Sequence, residues 1–166
     1  MLHKVSIAGL TMDPTSNTPI IILKSEEDDQ TIPIWIGLLE ATSIVSALQN
    51  IKFDRPMTHD LFKNFFDTLN IKVTRIEVCD LRDNTFYARI HLMADDATVF
   101  DMDARPSDAI AIAVRTGAPI FVDEKVIEKS GMPAGQVEVL DESEEGKKWA
   151  DYLEKLSPED FGKYKV

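Results

Sequence analysis

A chain of 166 residues, 44% of them hydrophobic, with only 7 Gly and 8 Pro, has the composition of one globular domain, or one domain and a tail, with material for a real core. Its 18 basic against 29 acidic residues give a net charge of −11, which excludes the broad cationic face that binds duplex nucleic acid non-specifically. The imbalance holds along the chain, with 11 basic and 17 acidic residues through Val122 and 7 and 12 after it. All six arginines (55, 75, 82, 89, 105, 115) lie in the first part, however, so a local cationic site remains available there. The single cysteine, Cys79, can form neither an internal disulfide nor a zinc cluster. No run of about 18 apolar residues is present to span a membrane. The opening Met1-Leu-His-Lys-Val-Ser-Ile7 does not read as a secretory leader. A cytoplasmic protein with no membrane partner is expected.

In chain order, Val5, Ile7 and Gly9 alternate with Lys4, Ser6 and Ala8 in a first strand, which ends in the turn Asp13-Pro-Thr-Ser-Asn17. A short apolar run over 20–23 and the acidic loop Ser25-Glu-Glu-Asp-Asp29 lead to a third strand. Ile32, Ile34 and Ile36 form the apolar face of that strand, and Pro33 directs it toward an edge or its own beginning. After Gly37 the period changes: Ala41, Ile44, Val45 and Leu48 predict a helix near 38–49. Thr58 is expected to cap a second helix over 58–69, with His59 and Asp60 in its first turn. The apolar stripe of that helix is Leu61, Phe62, Phe65, Phe66 and Leu69, and Asn70 can close it.

Residues 71–81 and 85–92 predict a hairpin about Arg82-Asp83-Asn84, with a bulge where the apolar parity shifts between Val73 and Ile76. A strand over 98–102 runs into a helix at 106–116. There Pro106 suits the first helical position, Asp108 the first turn, and Gly117 the left-handed end. Residues 109–114 leave no polar side, so this helix should be buried all round. A last short strand is read over 119–122. Three strands followed by a helix occur twice, which points to a β-β-β-α duplication. The fold class expected is α+β with a mixed, mainly antiparallel sheet. The domain is placed at 1–135. Residues 136–166 read as an acidic, partly helical tail in which Trp149, Tyr152, Leu153 and Leu156 share one face.

There is no glycine-rich phosphate loop, nucleophile elbow or HExxH motif, and none of His3, His59 and His91 has a recognisable catalytic partner in sequence. What stands out is a pair of similar turns, Arg55-Pro-Met-Thr-His-Asp60 and Arg105-Pro-Ser-Asp108. Asp101 and Asp103, two apart, share a strand face just before the second. Hard cations take carboxylate oxygens and arginine forks match phosphates. Asp101, Asp103 and Asp108 as ligands of Mg²⁺ or Mn²⁺, with His59, Asp60 and an Arg55 or Arg105 on phosphate, would suit metal-assisted phosphodiester cleavage. The competing reading is structural. Asp103 then caps a helix, Asp60, Asp108 and Glu40 favour helix dipoles, and the arginines pair with those carboxylates. Trp35 and Tyr87 are similarly divided between stacking on bases and packing in strands.

The sequence resembles the bifunctional nuclease domain family, whose members cleave DNA and RNA. The likeness rests on Ile32-Pro-Ile-Trp-Ile-Gly37, Arg55-Pro-Met-Thr-His-Asp-Leu61, Asp83-Asn-Thr-Phe-Tyr87 and Asp103-Ala-Arg-Pro-Ser-Asp-Ala-Ile-Ala-Ile-Ala-Val-Arg115. It continues through Gly117-Ala-Pro-Ile-Phe-Val122, covers roughly residues 1 to 130, and keeps the family's order and spacing. The resemblance implies nuclease activity and a compact α+β domain. It makes His59, Asp60, Arg105 and Asp108 the catalytic candidates by position, and nucleic acid, single-stranded or flexible, the partner. Self-association, with a dimer as the simplest case, is expected of a domain with strand edges to cover.

Overall fold

Alternation over the first part of the chain produces three antiparallel strands: β1 (Leu2–Met12), β2 (Pro19–Ser25) and β3 (Gln30–Trp35). The shift of period at Gly37 then starts α1 (Leu38–Leu48). After α2 (Thr58–Thr68) the pattern recurs as β4 (Lys72–Arg82), β5 (Thr85–Met93), β6 (Val99–Ala104) and α3 (Pro106–Thr116). The structure, a computed structural model, describes residues 1–133 and ends with β7 (Ile120–Asp123), α4 (Glu124–Ser130) and β8 (Met132–Pro133). The expected tail at 136–166, with its helix around Trp149, lies outside the described residues.

All eight strands form one sheet in the order β6-β5-β4-β7-β1-β2-β3-β8. The two meanders flank β7, which runs antiparallel to β1 and parallel to β4, the one parallel pairing among the described strands. The fold is therefore α+β with a mixed, mainly antiparallel sheet, and the β-β-β-α order occurs twice. The β4–β5 turn places Asp83 and Asn84 in the left-handed region, as a tight hairpin requires. The register of β4 against β5 slips between Val73 and Arg75, at the expected bulge. Pro33 can sit in β3 because β8 covers only the first two residues of that strand's outer edge.

Pro106, Ser107 and Ala109–Ala113 of α3 are buried, and the helix packs against α1, α2, β4 and β5. Gly117 ends it with φ 70°, a conformation that favours glycine. Three strands separate β3 from β4 in the sheet, yet α4 touches both, so the sheet curls around its helices. Among the described residues no helix is long and apolar enough to cross a membrane.

Four expectations change. Met57, not Thr58, precedes the first turn of α2, because Asp60 Oδ2 accepts the Met57 backbone N–H at 3.0 Å and so closes that helix end. The apolar stripe of α2 is not core: Phe66 is 2% exposed, but Leu61 is 60% and Phe65 54% exposed. The reason is that α2 packs mainly on α3 and β4, and one row of side chains suffices for that contact. The strand before α3 runs on to Ala104, which places Asp103 in β6. Finally, α4 and β8 were not anticipated; α4 is only seven residues long, too short for a helical period to declare itself.

Candidate active site

The first turns of three helices converge at Asp108. Arg105, extended at φ −69° and ψ 145° just before α3, folds its guanidinium back onto that turn. Its Nε donates to Asp108 Oδ2 at 2.8 Å and its Nη2 to Asp108 Oδ1 at 3.1 Å. The remaining Nη1 lies 2.9 Å from Glu40 Oε1 in the first turn of α1. His59, in the first turn of α2, sets Nε2 2.9 Å from Asp108 Oδ1, and its Nδ1 lies 2.8 Å from Ser43 Oγ of α1. With Asp108 ionised, the neutral ring carries its proton on Nε2 and accepts the Ser43 hydroxyl at Nδ1. A charged ring would donate at both ends.

Burial of Asp108 disfavours its anion, but hydrogen bonds from Arg105 and His59 outweigh that effect and hold its carboxyl below the ordinary aspartate range. The same contact with Asp108 raises the Arg105 guanidinium. A cavity of about 390 Å³ opens beside this cluster, walled by His59, Asp103, Arg105 and Asp108 together with Phe62 and Met102. Polar groups thus meet an apolar wall in a recess, the usual setting of a site that binds or reacts.

Arg115, at the other end of α3, is only 7% exposed. It donates from Nε to Asp60 Oδ1 at 2.6 Å, from Nη1 to the Ala111 carbonyl at 2.9 Å, and from Nη2 to the Ser43 carbonyl at 3.1 Å. Asp60 has its second oxygen on the Met57 N–H and does not line the cavity. This second cluster ties the three helices together, and Ser43 belongs to both clusters through its hydroxyl and its carbonyl.

Of the residues singled out in sequence, the structure brings together His59, Arg105 and Asp108, with Asp103 on the same cavity wall. Asp60 is turned to Arg115. Arg55 is exposed ahead of α2, forms no hydrogen bond or ion pair with a described residue, and is not in the cavity wall. Asp101 pairs with Arg89, which reaches it diagonally across β5–β6. Asp101, Asp103 and Asp108 therefore do not converge, and among the described residues no three His, Cys, Asp or Glu side chains form a group able to hold an ion. The donor set does not fit a preassembled metal cage.

Glu40, Ser43 and Arg115 were given no catalytic or binding role in sequence. Glu40 had a signal: it is the third residue of α1 as Asp108 is the third of α3, and Arg105 bridges the two. Ser43 and Arg115 carry no local signal, because their partners lie 16 and 55 residues away. His59, which has no recognisable partner along the chain, has two in space.

Residues 21–135 match the family model of the bifunctional nuclease domain, and the chain belongs to that family. Two Mycobacterium tuberculosis proteins described as uncharacterized are 33% identical over 174 residues, covering 96% of this chain and 98% of theirs. Bifunctional nuclease 1 of Oryza sativa subsp. indica is 27% identical over 119 residues, which are 70% of this chain and 36% of that protein. Bifunctional nuclease 2 of Arabidopsis thaliana is 29% identical over 115 residues, 68% of this chain and 35% of that protein. The match thus spans about a third of each of these plant nucleases.

Proposed function

We propose that the domain is a nuclease that cleaves phosphodiester bonds of DNA and RNA at the His59–Asp108–Arg105 cluster. The observation that carries this reading is a histidine held between a serine and an ionised aspartate, with an exposed arginine on that aspartate, in the wall of a cavity. In this proposal Arg105, whose side chain is 66% exposed, presents its fork to the substrate phosphate. As water attacks phosphorus, His59 takes its proton, Asp108 stabilises the charged ring, and the ring then gives that proton to the leaving oxygen. Ser43 is a positioning residue: it bonds Nδ1 and holds the orientation of the His59 ring but does not line the cavity.

A Mg²⁺ or Mn²⁺ ion enters the proposal only as an ion that arrives with substrate. Such ions are commonly held by one or two carboxylates plus substrate phosphates, and Asp103 is the cavity carboxylate with no ion pair to a described residue. No catalytic step is assigned to it. Cytoplasmic action and a homo-oligomer, a dimer in its simplest form, belong to the same proposal. In favour of the oligomer, the edge strand β6 exposes Val99 and Phe100.

The test is cleavage of labelled single-stranded DNA and RNA by the parent, His59→Ala and Asp108→Ala, with Mg²⁺, Mn²⁺ or chelator. Loss of activity by about a hundred-fold or more in both variants is expected. Equal activity in parent and variants, or none in the parent under any of these conditions, would overturn the proposal. A second reading, a non-catalytic interaction domain, is favoured by the engagement of both Asp60 oxygens and of Asp108 in ion pairs. It predicts an inactive parent and a loss of stability in Asp108→Ala as large as that in Asp60→Ala.

A further inference from the structure

Arg105 also lines a second cavity, of about 810 Å³, where the end of β3, the β4–β5 hairpin, the start of α3 and the end of α4 meet. We propose that this cavity receives an unstacked nucleobase and its sugar from a single-stranded nucleic acid whose neighbouring phosphate lies at Arg105. The proposal rests on the nuclease reading and deepens it by naming the conformation of substrate the site accepts.

Trp35 makes the first argument. It ends β3 in the cavity wall, is 46% exposed, and donates its indole N–H to Asp13 Oδ2 at 2.8 Å. The polar edge of the ring is satisfied and its orientation pinned, so what it offers a ligand is an apolar π-face. Phe86 stands in the same wall. An aromatic platform of this kind stacks any base, but only one that has left its own stack.

Ser107 makes the second argument. It is 6% exposed in the first turn of α3, and its hydroxyl has no hydrogen-bond partner among the described residues. Ser107 lines this cavity and its hydroxyl is not one of the fully enclosed unpaired polar groups, so it is open to the cavity, where a sugar or phosphate oxygen can bond to it. Arg105 and Lys129, both well exposed, stand in the same wall. Both already face carboxylates, Arg105 those of Glu40 and Asp108 and Lys129 that of Asp80, so they supply donors rather than a strong positive field.

Charge makes the third argument. With a net −11, the chain offers little of the phosphate attraction on which duplex binding depends. Stacking is the source of affinity that remains, and it selects unpaired strands. Arg105, common to both cavities, places the base-binding recess next to the reacting phosphate.

The experiment is equilibrium binding of a short oligothymidylate, and of a duplex of equal length, in a His59→Ala background of the full chain. Binding is read there whether or not the protein cleaves, so failure of this inference and failure of the nuclease reading are distinguishable. Trp35→Ala should raise the Kd for the single strand about ten-fold or more, Trp35→Phe should stay within about three-fold, and duplex should bind much more weakly than single strand. An unchanged Kd in a Trp35→Ala variant that melts like its parent, or equal affinity for duplex and single strand, would overturn the inference. Photo-crosslinking of 5-bromouracil oligonucleotide to the unsubstituted chain tests it without a Trp35 variant. Crosslinks at Trp35 are expected, and crosslinks confined to surfaces outside this cavity would refute it.

Discussion

The helix starts at Arg55–Asp60 and Arg105–Asp108 read alike, each with Arg-Pro followed by an aspartate in the first turn, but the structure puts them to opposite uses. Asp60 gives one oxygen to its own helix end and the other to Arg115, which is 7% exposed and also holds carbonyls of α1 and α3. Asp108 meets Arg105, 66% exposed, and a histidine, in the wall of a cavity. The partner arginine makes the difference. A buried fork with all three nitrogens bonded fixes three helices, whereas an exposed fork can exchange a carboxylate for a phosphate. Arg55, which the motif would make the equivalent of Arg105, bonds to no described residue.

The largest effect that would sharpen this contrast is on stability. Arg115→Leu strands Asp60 and the Ser43 carbonyl, so the unfolding free energy should fall by about 3 kcal/mol in urea titrations. Arg105→Leu should cost less, about 1 kcal/mol, because its side chain is 66% exposed. Equal losses at the two arginines would break the contrast.

A smaller effect lies in pH. The carboxyl of Asp108 is depressed in the folded state, so its stabilising share is present above the unfolded pKa and is lost as pH falls through the folded value. The difference in melting temperature between the parent and Asp108→Asn should therefore be constant above about pH 5 and shrink below about pH 4. A difference that grew on acidification would contradict the assigned ionisation.

Periodicity made much of the fold legible. The Ile32–Ile36 alternation, the bulge in β4, the hairpin at Asp83–Asn84 and the apolar run 109–114 of α3 all follow from local pattern. The insertion of β7 between the meanders was not legible, since the partners of Ile120 are Val5 and Ile76, far along the chain. Nor was the exposure of α2, whose five apolar residues give the same helical stripe whether the face meets a core or solvent. At the site, His59, Arg105 and Asp108 stood out through their motif, while Ser43 and Arg115 gained meaning only from contacts across α1, α2 and α3. Asp101 shows the converse: its spacing from Asp103 suggested a shared ion, but the neighbouring strand supplies Arg89 instead.

The most direct test is to compare Asp60→Asn and Asp108→Asn in parallel, recording the urea midpoint and the turnover of labelled single-stranded DNA and RNA per folded molecule. Asp60→Asn should lower the midpoint clearly and keep turnover within a few-fold of the parent. Asp108→Asn should lower the midpoint much less than Asp60→Asn does and lose about a hundred-fold or more in turnover. A stable, fully active Asp108→Asn, or an Asp60→Asn that loses turnover without losing stability, would contradict the division of labour between the two helix starts.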